Sequence, residues 1–260
     1  MRLQQSNVDV WLRDLARGTV ARFTFDPSID ANPVVSPRGD RIAFYSNRAS
    51  VGDLYDKPID GSAEERVLLA SDQPKAPLDW SPDGRVLLFA SQDPRNACDI
   101  WALPMDGDRK PFPVVQSPAD DVHGRFSPDG RWIAYASNET GRYEVYVRAF
   151  PGPGARQQLS TGGGIYPMWR RDGQELLFIA PDNRMMSVPL DVGATLHPGA
   201  PVVLFPTNLA TGGNTGISGY NSHSEYAVAA DGRFLLNVRV SDAAASPITI
   251  VQNWDVLLKR

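Results

Sequence analysis

A four-residue turn recurs along this chain and limits its fold more than any other feature. Ser36-Pro37-Arg38-Gly39, Ser81-Pro82-Asp83-Gly84 and Ser127-Pro128-Asp129-Gly130 are full copies, and Arg170-Arg171-Asp172-Gly173 and Ala229-Ala230-Asp231-Gly232 are weaker ones. From glycine to glycine the steps are 45, 46, 43 and 59 residues. An acidic, apolar, aromatic triplet follows each of the first three turns: Asp53-Leu54-Tyr55, Asp99-Ile100-Trp101 and Glu144-Val145-Tyr146, at 14, 15 and 14 residues past the glycine. Arg184-Met185-Met186 is a fourth copy, at 11. Two markers kept in register over a period in the low to mid forties describe a unit of four short strands, the length of one propeller blade.

The third unit shows how such a blade is written. Arg125-Phe126 ends a first strand and the Asp129-Gly130 turn follows, where glycine accepts a positive φ without steric cost. Trp132 to Ala136 is the second strand, Glu144 to Arg148 the third and Gln157 to Ser160 the fourth. Second strands such as Ile42-Ala43-Phe44-Tyr45, Val86-Leu87-Leu88-Phe89 and Leu176-Leu177-Phe178-Ile179 are almost wholly apolar, as strands covered on both faces are. Trp80 and Trp169 precede their turns where the third unit has Phe126, a pattern that predicts packing between blades. The 22 glycines and 22 prolines point to many turns and argue against long helices. The fold class is therefore all-β, a single β-propeller domain over residues 1–260.

Four units are complete, at about 26–70, 71–117, 118–161 and 162–207. A C-terminal piece, 208–260, offers strands at Glu225 to Ala230, Arg233 to Val238 and Ile248 to Trp254. A partial N-terminal unit, 1–25, offers Val8 to Leu15 and Val20 to Phe25, with Asp9-Val10-Trp11 as its triplet. By offset, the turn glycine of that unit falls before Met1. The spacing fits a six-bladed frame with an incomplete first blade, or a five-bladed ring closed by the N-terminal strands. It also raises the expectation that the chain is a piece of a longer protein, and that an open blade edge permits dimerisation.

Composition removes several functions. Lys and Arg number 26 against 30 Asp and Glu, a net charge of −4, with no basic run, so no nucleic-acid partner is expected. No apolar stretch is long enough to insert in a membrane, and Met1 to Asn7 hold no apolar core of a signal peptide. Cys98 is the only cysteine, which leaves no internal disulfide and no cysteine-based zinc site.

No catalytic set emerges from the motifs. No G-x-S-x-G elbow occurs, Ile217-Ser218-Gly219 failing on spacing, and no kinase loop is present. His123, His197 and His223 form no i, i+4 pair, although His123 and His223 are both placed just before an innermost strand. Asp120 and Asp121 are adjacent, a poor arrangement for joint chelation. Gly162-Gly163-Gly164 and Gly212-Gly213-Asn214 lack the helix and lysine of a phosphate loop and read as connections, and 207–224 is a long polar loop. No metal and no cofactor is expected. Polar loops repeat after the second strands: Ser46-Asn47-Arg48, Ser91-Gln92-Asp93 and Ser137-Asn138-Glu139. Turn-making and hydrogen bonding explain them, and a ring of groups around a shared ligand is the functional alternative. The expected binding residues on this loop face are Arg48, Asn138, His123 and Tyr166, the partner being a protein, a peptide or a small molecule.

From Asp9 to Phe205 these repeats resemble the TolB-like propeller family, a relative of the WD-type propellers. Three passages are similar to the C-terminal propeller regions of bacterial transmembrane serine/threonine kinases: Asp99-Ile100-Trp101 through Lys110-Pro111, Phe126 through Tyr135, and Glu144 to Arg148 continuing to Phe150-Pro151-Gly152. Ile248 to Trp254 with Leu258-Lys259-Arg260 looks like that group's chain ending. The resemblance implies a sensor or interaction module outside the membrane and no kinase activity in this chain. The enzymatic alternatives are a propeller hydrolase or lactonase with a central metal, and an accessory propeller of a prolyl-oligopeptidase-type peptidase.

Overall fold

The computed structural model describes residues 8–49, 51–93, 97–152, 154–193, 195–209, 225–229, 231–238 and, for the backbone, 248–251. Among them there is no helix, and so none long and apolar enough to cross a membrane. All strands sit in antiparallel sheets that follow one another along the chain. The first sheet holds β1 (Trp11–Arg13) and β2 (Val20–Arg22). The second holds β3 (Asp30–Val35), β4 (Arg41–Ser46), β5 (Asp53–Pro58) and β6 (Arg66–Leu69). The third is β7 (Lys75–Trp80), β8 (Val86–Gln92), β9 (Cys98–Pro104) and β10 (Phe112–Val115). The fourth is β11 (Asp121–Phe126), β12 (Trp132–Ser137), β13 (Glu144–Ala149) and β14 (Arg156–Gln158). The fifth contains β15 (Ile165–Trp169), β16 (Glu175–Ile179), β17 (Arg184–Val192), β18 (Leu196–Pro198) and β19 (Val202–Pro206), with β17 pairing both β18 and β19. The last is β20 (Tyr226–Val228), β21 (Phe234–Asn237) and β22 (Ile248–Val251).

The repeat reading survives with local corrections. Four-stranded antiparallel blades are present where the turns and triplets placed them. The fourth strand of the third unit lies at Arg156–Gln158 rather than at Gln157 to Ser160, because the Ser160 hydroxyl accepts the Val145 N–H at 2.8 Å and takes the place of a main-chain pairing. The β17–β18 extension was not legible: β17 runs nine residues, and its second half folds against Leu196–Pro198. β1–β2 and β20–β21–β22 are separate sheets, an arrangement in the manner of the six-position frame with a partial first unit.

Each turn is built the same way. Ser127 Oγ donates to Asp129 at 2.6 Å and accepts the Trp132 N–H at 2.9 Å, and Gly130 sits at φ 73°. Ser81, Asp83 and Gly84 repeat this arrangement. Where Arg38 replaces the aspartate, Asp40 accepts the Ser36 hydroxyl instead, at 2.7 Å. The fourth and fifth turns keep their form without Ser-Pro, because Asp172 and Asp231 still accept the N–H two residues on.

The proline and the glycine of the tetrad recur together for a reason. The space beside Gly84 is taken by Pro37, that beside Gly130 by Pro82 and that beside Gly173 by Pro128, each 3.5–3.9 Å from where a Cβ would lie. The ring of each turn thus packs on the next blade. Indoles add a polar tie: Trp80 Nε1 donates to the Val34 carbonyl at 3.2 Å and Trp169 Nε1 to that of Arg125 at 3.1 Å.

The acid of each triplet ties the other end. Asp53 accepts the Ser71 N–H, and Glu144 accepts the Gly163 N–H with both oxygens at 3.0 Å. Gly163, at φ 95°, is therefore a fixed latch rather than a plain connection. Main-chain bonds run alongside, from Asp30 N–H to Val8, from Lys75 to Gly52 and from Gly164 to Tyr143. Between these ties lie apolar cores of buried second- and third-strand residues such as Phe44, Leu88, Ile100, Tyr135 and Phe178.

Candidate binding site at the axis

The first strands β3, β7, β11, β15 and β20 converge on one cavity of about 540 Å³. The alternation that buries one side of each strand in its blade turns the other side inward. The walls are Val34, Leu78, Trp80, Phe126, Met168 and Trp169, with Tyr226 at the side. One charged pair faces the space. Asp79, 26% exposed at its side chain, accepts the Phe126 N–H at 2.8 Å, and Arg125 Nη1 lies 3.9 Å from its other oxygen. Arg125 also donates to the Leu78 carbonyl. Burial pushes the Asp79 carboxyl above its usual range, and the Arg125 charge pulls it back only in part. The cavity thus offers aromatic and aliphatic walls with an acid and a base held at fixed positions.

Every complete blade carries a register shift in its first strand, between Ala31 and Val34, Pro77 and Asp79, Val122 and Arg125, and Ile165 and Met168. The residues at these bulges lie seven before each turn glycine: Asn32, Pro77, His123 and Tyr166. Asn32, His123 and Tyr166 have φ of 52°, 57° and 56°, a left-handed conformation that costs a side-chain-bearing residue about 1 kcal/mol or more. The His123 and Tyr166 rings meet at 4.4 Å between centroids, and Tyr226 Oη donates to the Tyr166 carbonyl at 2.8 Å. His123 lies inside β11, not ahead of it as expected, because β11 begins at Asp121. His223, Ser218 and Gly212 to Asn214 lie outside the described residues.

The four expected residues divide into two pairs. His123 and Tyr166 come together, both buried. Arg48 and Asn138 sit at the far end of their blades from the cavity and are engaged internally. Arg48 Nη2 donates to both oxygens of Asp30 at 3.0 Å, its Nε donates to Ser46 Oγ, and its guanidinium lies 4.7 Å from the Tyr55 ring centroid. Asn138 Oδ1 accepts the Asp120 N–H at 2.8 Å and Nδ2 donates to the Asp120 carboxylate at 3.2 Å, while Asn47 accepts the Ile29 N–H in the same way one unit earlier. These loop amides fasten a second strand to the start of its own first strand. Sequence reasoning missed Asp79 and Arg125; the signal was their shared position five residues before a turn glycine, on the inward phase of a first strand.

Among the described residues, no group of three or more His, Cys, Asp or Glu is placed to hold a metal ion. Burial pushes the Asp121 carboxyl up to about 6, with Asp99 and Glu139 adding to the shift.

The comparisons bear on the fold. TolB from Acinetobacter baumannii superposes with a TM-score of 0.69 at 17% identity, over 89% of this chain and 54% of that one. An oligogalacturonate lyase in complex with manganese superposes with a TM-score of 0.61 at 16% identity, over 95% of this chain and 73% of its own. The architecture is that of a TolB-like β-propeller. In sequence, 101 residues, 38% of this chain, are 30% identical to Tricorn protease homolog 1 of Streptomyces coelicolor. The chain spans about half the length of the TolB chain and a tenth of the curated relative it matches. No family model matches the chain.

Proposed function

We propose that this chain is a binding module that takes a peptide segment or small ligand at the axial mouth and does not turn it over. The observation that carries this is the cavity of about 540 Å³ formed by five first strands, with apolar walls and the Asp79–Arg125 pair at its side. Its size and lining suit a small ligand or a few extended residues, whose polar groups meet the pair while their apolar groups replace water on the indoles. The fold alone does not choose between binding and catalysis, since TolB and a lyase share it. The likeness of the three sequence passages to kinase-associated propellers supports a sensor role outside the membrane, as the terminal part of a receptor-like kinase. The test is selection of a displayed peptide library on the purified chain, repeated with Ala227→Trp. Ala227 is exposed and lines the mouth, so the indole fills the cavity without entering the core. Ligands that lose at least about tenfold in affinity support the proposal. Ligands that bind the variant equally well, or turnover of a bound uronide or lactone, overturn it.

A further inference from the structure

The junction between the third and fourth sheets lacks a positive charge that its neighbours possess. In the junction before it, the Lys75 ammonium is buried among four oxygens: Asp53 Oδ1 at 2.9 Å, and the carbonyls of Gly52, Ser71 and Gln73 at 3.3, 3.4 and 2.6 Å. Lys75 lies nine residues before Gly84; nine before Gly130 is Asp121.

The surrounding loop is the same in both junctions. Ser71 Oγ accepts the Gln73 N–H and contacts its carbonyl, and Ser117 Oγ does both to Ala119. Asp99, the triplet acid, takes the place of Asp53, which accepts the Ser71 N–H at 3.2 Å, and the Ser117 N–H lies close enough to Asp99 to lower its proton affinity. The serine turn and the triplet acid are therefore repeated, with a carboxylate where the ammonium stood.

Among the described residues, none supplies the missing charge. One unit earlier, Asp30, also nine before its glycine, is paired with Arg48; the counterpart of Arg48, nine past Gly130, is Glu139. Asp121 is 0% exposed and Asp99 7%. Ser117 Oγ donates to one Asp121 oxygen at 2.9 Å, and Gln116 Nε2 to one Asp99 oxygen at 3.3 Å. The remaining oxygen of Asp99 has no hydrogen-bond partner, and the remaining oxygen of Asp121 and the Ser137 hydroxyl, paired across the β11–β12 ladder, make no bond of full geometry, although Ser137 is close enough to lower the proton affinity of Asp121.

We propose that this junction binds a calcium ion, held by the free oxygens of Asp99 and Asp121, the Ser137 hydroxyl and the carbonyls that correspond to the ammonium cage. The donor set is all oxygen, and two carboxylates balance a divalent hard cation. No transition metal is implied, since neither imidazole nor thiolate takes part.

The probe is calcium chloride alone, titrated calorimetrically into the full chain after EDTA treatment and dialysis, with melting curves alongside. The expected result is one site, and a rise of several degrees in Tm with calcium that magnesium does not reproduce. Asp121→Lys, which rebuilds the Lys75 arrangement, abolishes calcium binding and melts higher than the wild type in EDTA. Asp99→Asn and Asp121→Asn, nearly isosteric, each weaken calcium binding at least about tenfold. The proposal is overturned if the wild type shows no calcium binding with a Kd of about 1 mM or tighter, the weak end of known sites. It is overturned as well if the double asparagine variant binds like the wild type. A Tm that rises on acidification to about pH 5 but not with calcium means that the carboxylates share a proton instead, and this too overturns it.

Discussion

Trp169 reaches back 44 residues to donate its indole N–H to the carbonyl of Arg125 at 3.1 Å, and so joins two blades through a partly buried hydrogen bond. Trp80 makes the same reach, while Phe126, at the equivalent place, substitutes a main-chain bond to Asp79. Trp169→Phe is therefore expected to fold, because the repeat already accepts phenylalanine there. It should lose about 1–2 kcal/mol, the sum of a hydrogen bond left with one partner and a smaller ring. Urea denaturation with an unchanged m-value is the measurement.

Lys75 is 1% exposed, and its ammonium is the counter-charge of the equally buried Asp53. Lys75→Met should destabilise by about 3 kcal/mol or more, because it leaves a buried carboxylate without its counter-charge and three carbonyls without a donor. Adding Asp53→Asn should recover part of that loss, although each change alone is harmful. A double-mutant cycle from chemical denaturation reads the coupling directly.

The Asp79 carboxyl has its proton affinity raised in the folded state, chiefly by burial and against the pull of Arg125. The folded chain then holds a proton more firmly than the unfolded one. Stability from this group is full below the ordinary aspartate value of about 3.9 and is lost as the pH rises through the higher native value. Asp79→Asn should flatten the part of the stability profile that lies above about pH 4 while still accepting the Phe126 N–H. Denaturation midpoints of the two proteins, compared across the range, show whether it does.

Gly52 has φ 132°, and a Cβ there would lie 2.1 Å from the Tyr45 ring. Gly52→Ala should cost about 2–4 kcal/mol, from backbone strain together with displacement of that ring. A Tm fall of several degrees is the readout.

The Cys98 thiol is fully buried, and its acidity is suppressed by burial first and then by Asp120, Asp99 and Asp121. It should be inert to a thiol reagent in the native chain and react at once in denaturant, because the thiolate is the reactive form. The rate of colour release with a disulfide reagent tests this.

The turns and triplets were legible because each answers a local demand. Gly39, Gly84 and Gly130 must adopt positive φ, and Asp83 and Asp129 must accept the N–H two residues on. The apolar second strands declared their burial on both faces. The charge bonds of Arg48 and the amide bonds of Asn138 were not legible, since polar loop residues look alike whether they face a ligand or their own strand. The bulges at Asn32, His123 and Tyr166 carry no common residue type, and the Asp79–Arg125 pair forms between residues 46 apart in sequence. Such features arise only when first strands meet. The opposite charges at Lys75 and Asp121 were in plain sight, but their meaning depends on knowing what oxygen cage surrounds that position.

Pro37 on Gly84, Pro82 on Gly130 and Pro128 on Gly173 are contacts between consecutive turns only. A molecule tied neighbour to neighbour behaves as a short row of coupled units rather than as one indivisible core. Amide exchange should then be slowest in the central blades and quicken stepwise outward. Loss of one tie in the middle would uncouple the halves on either side of it, whereas the same loss at an end would release a single sheet.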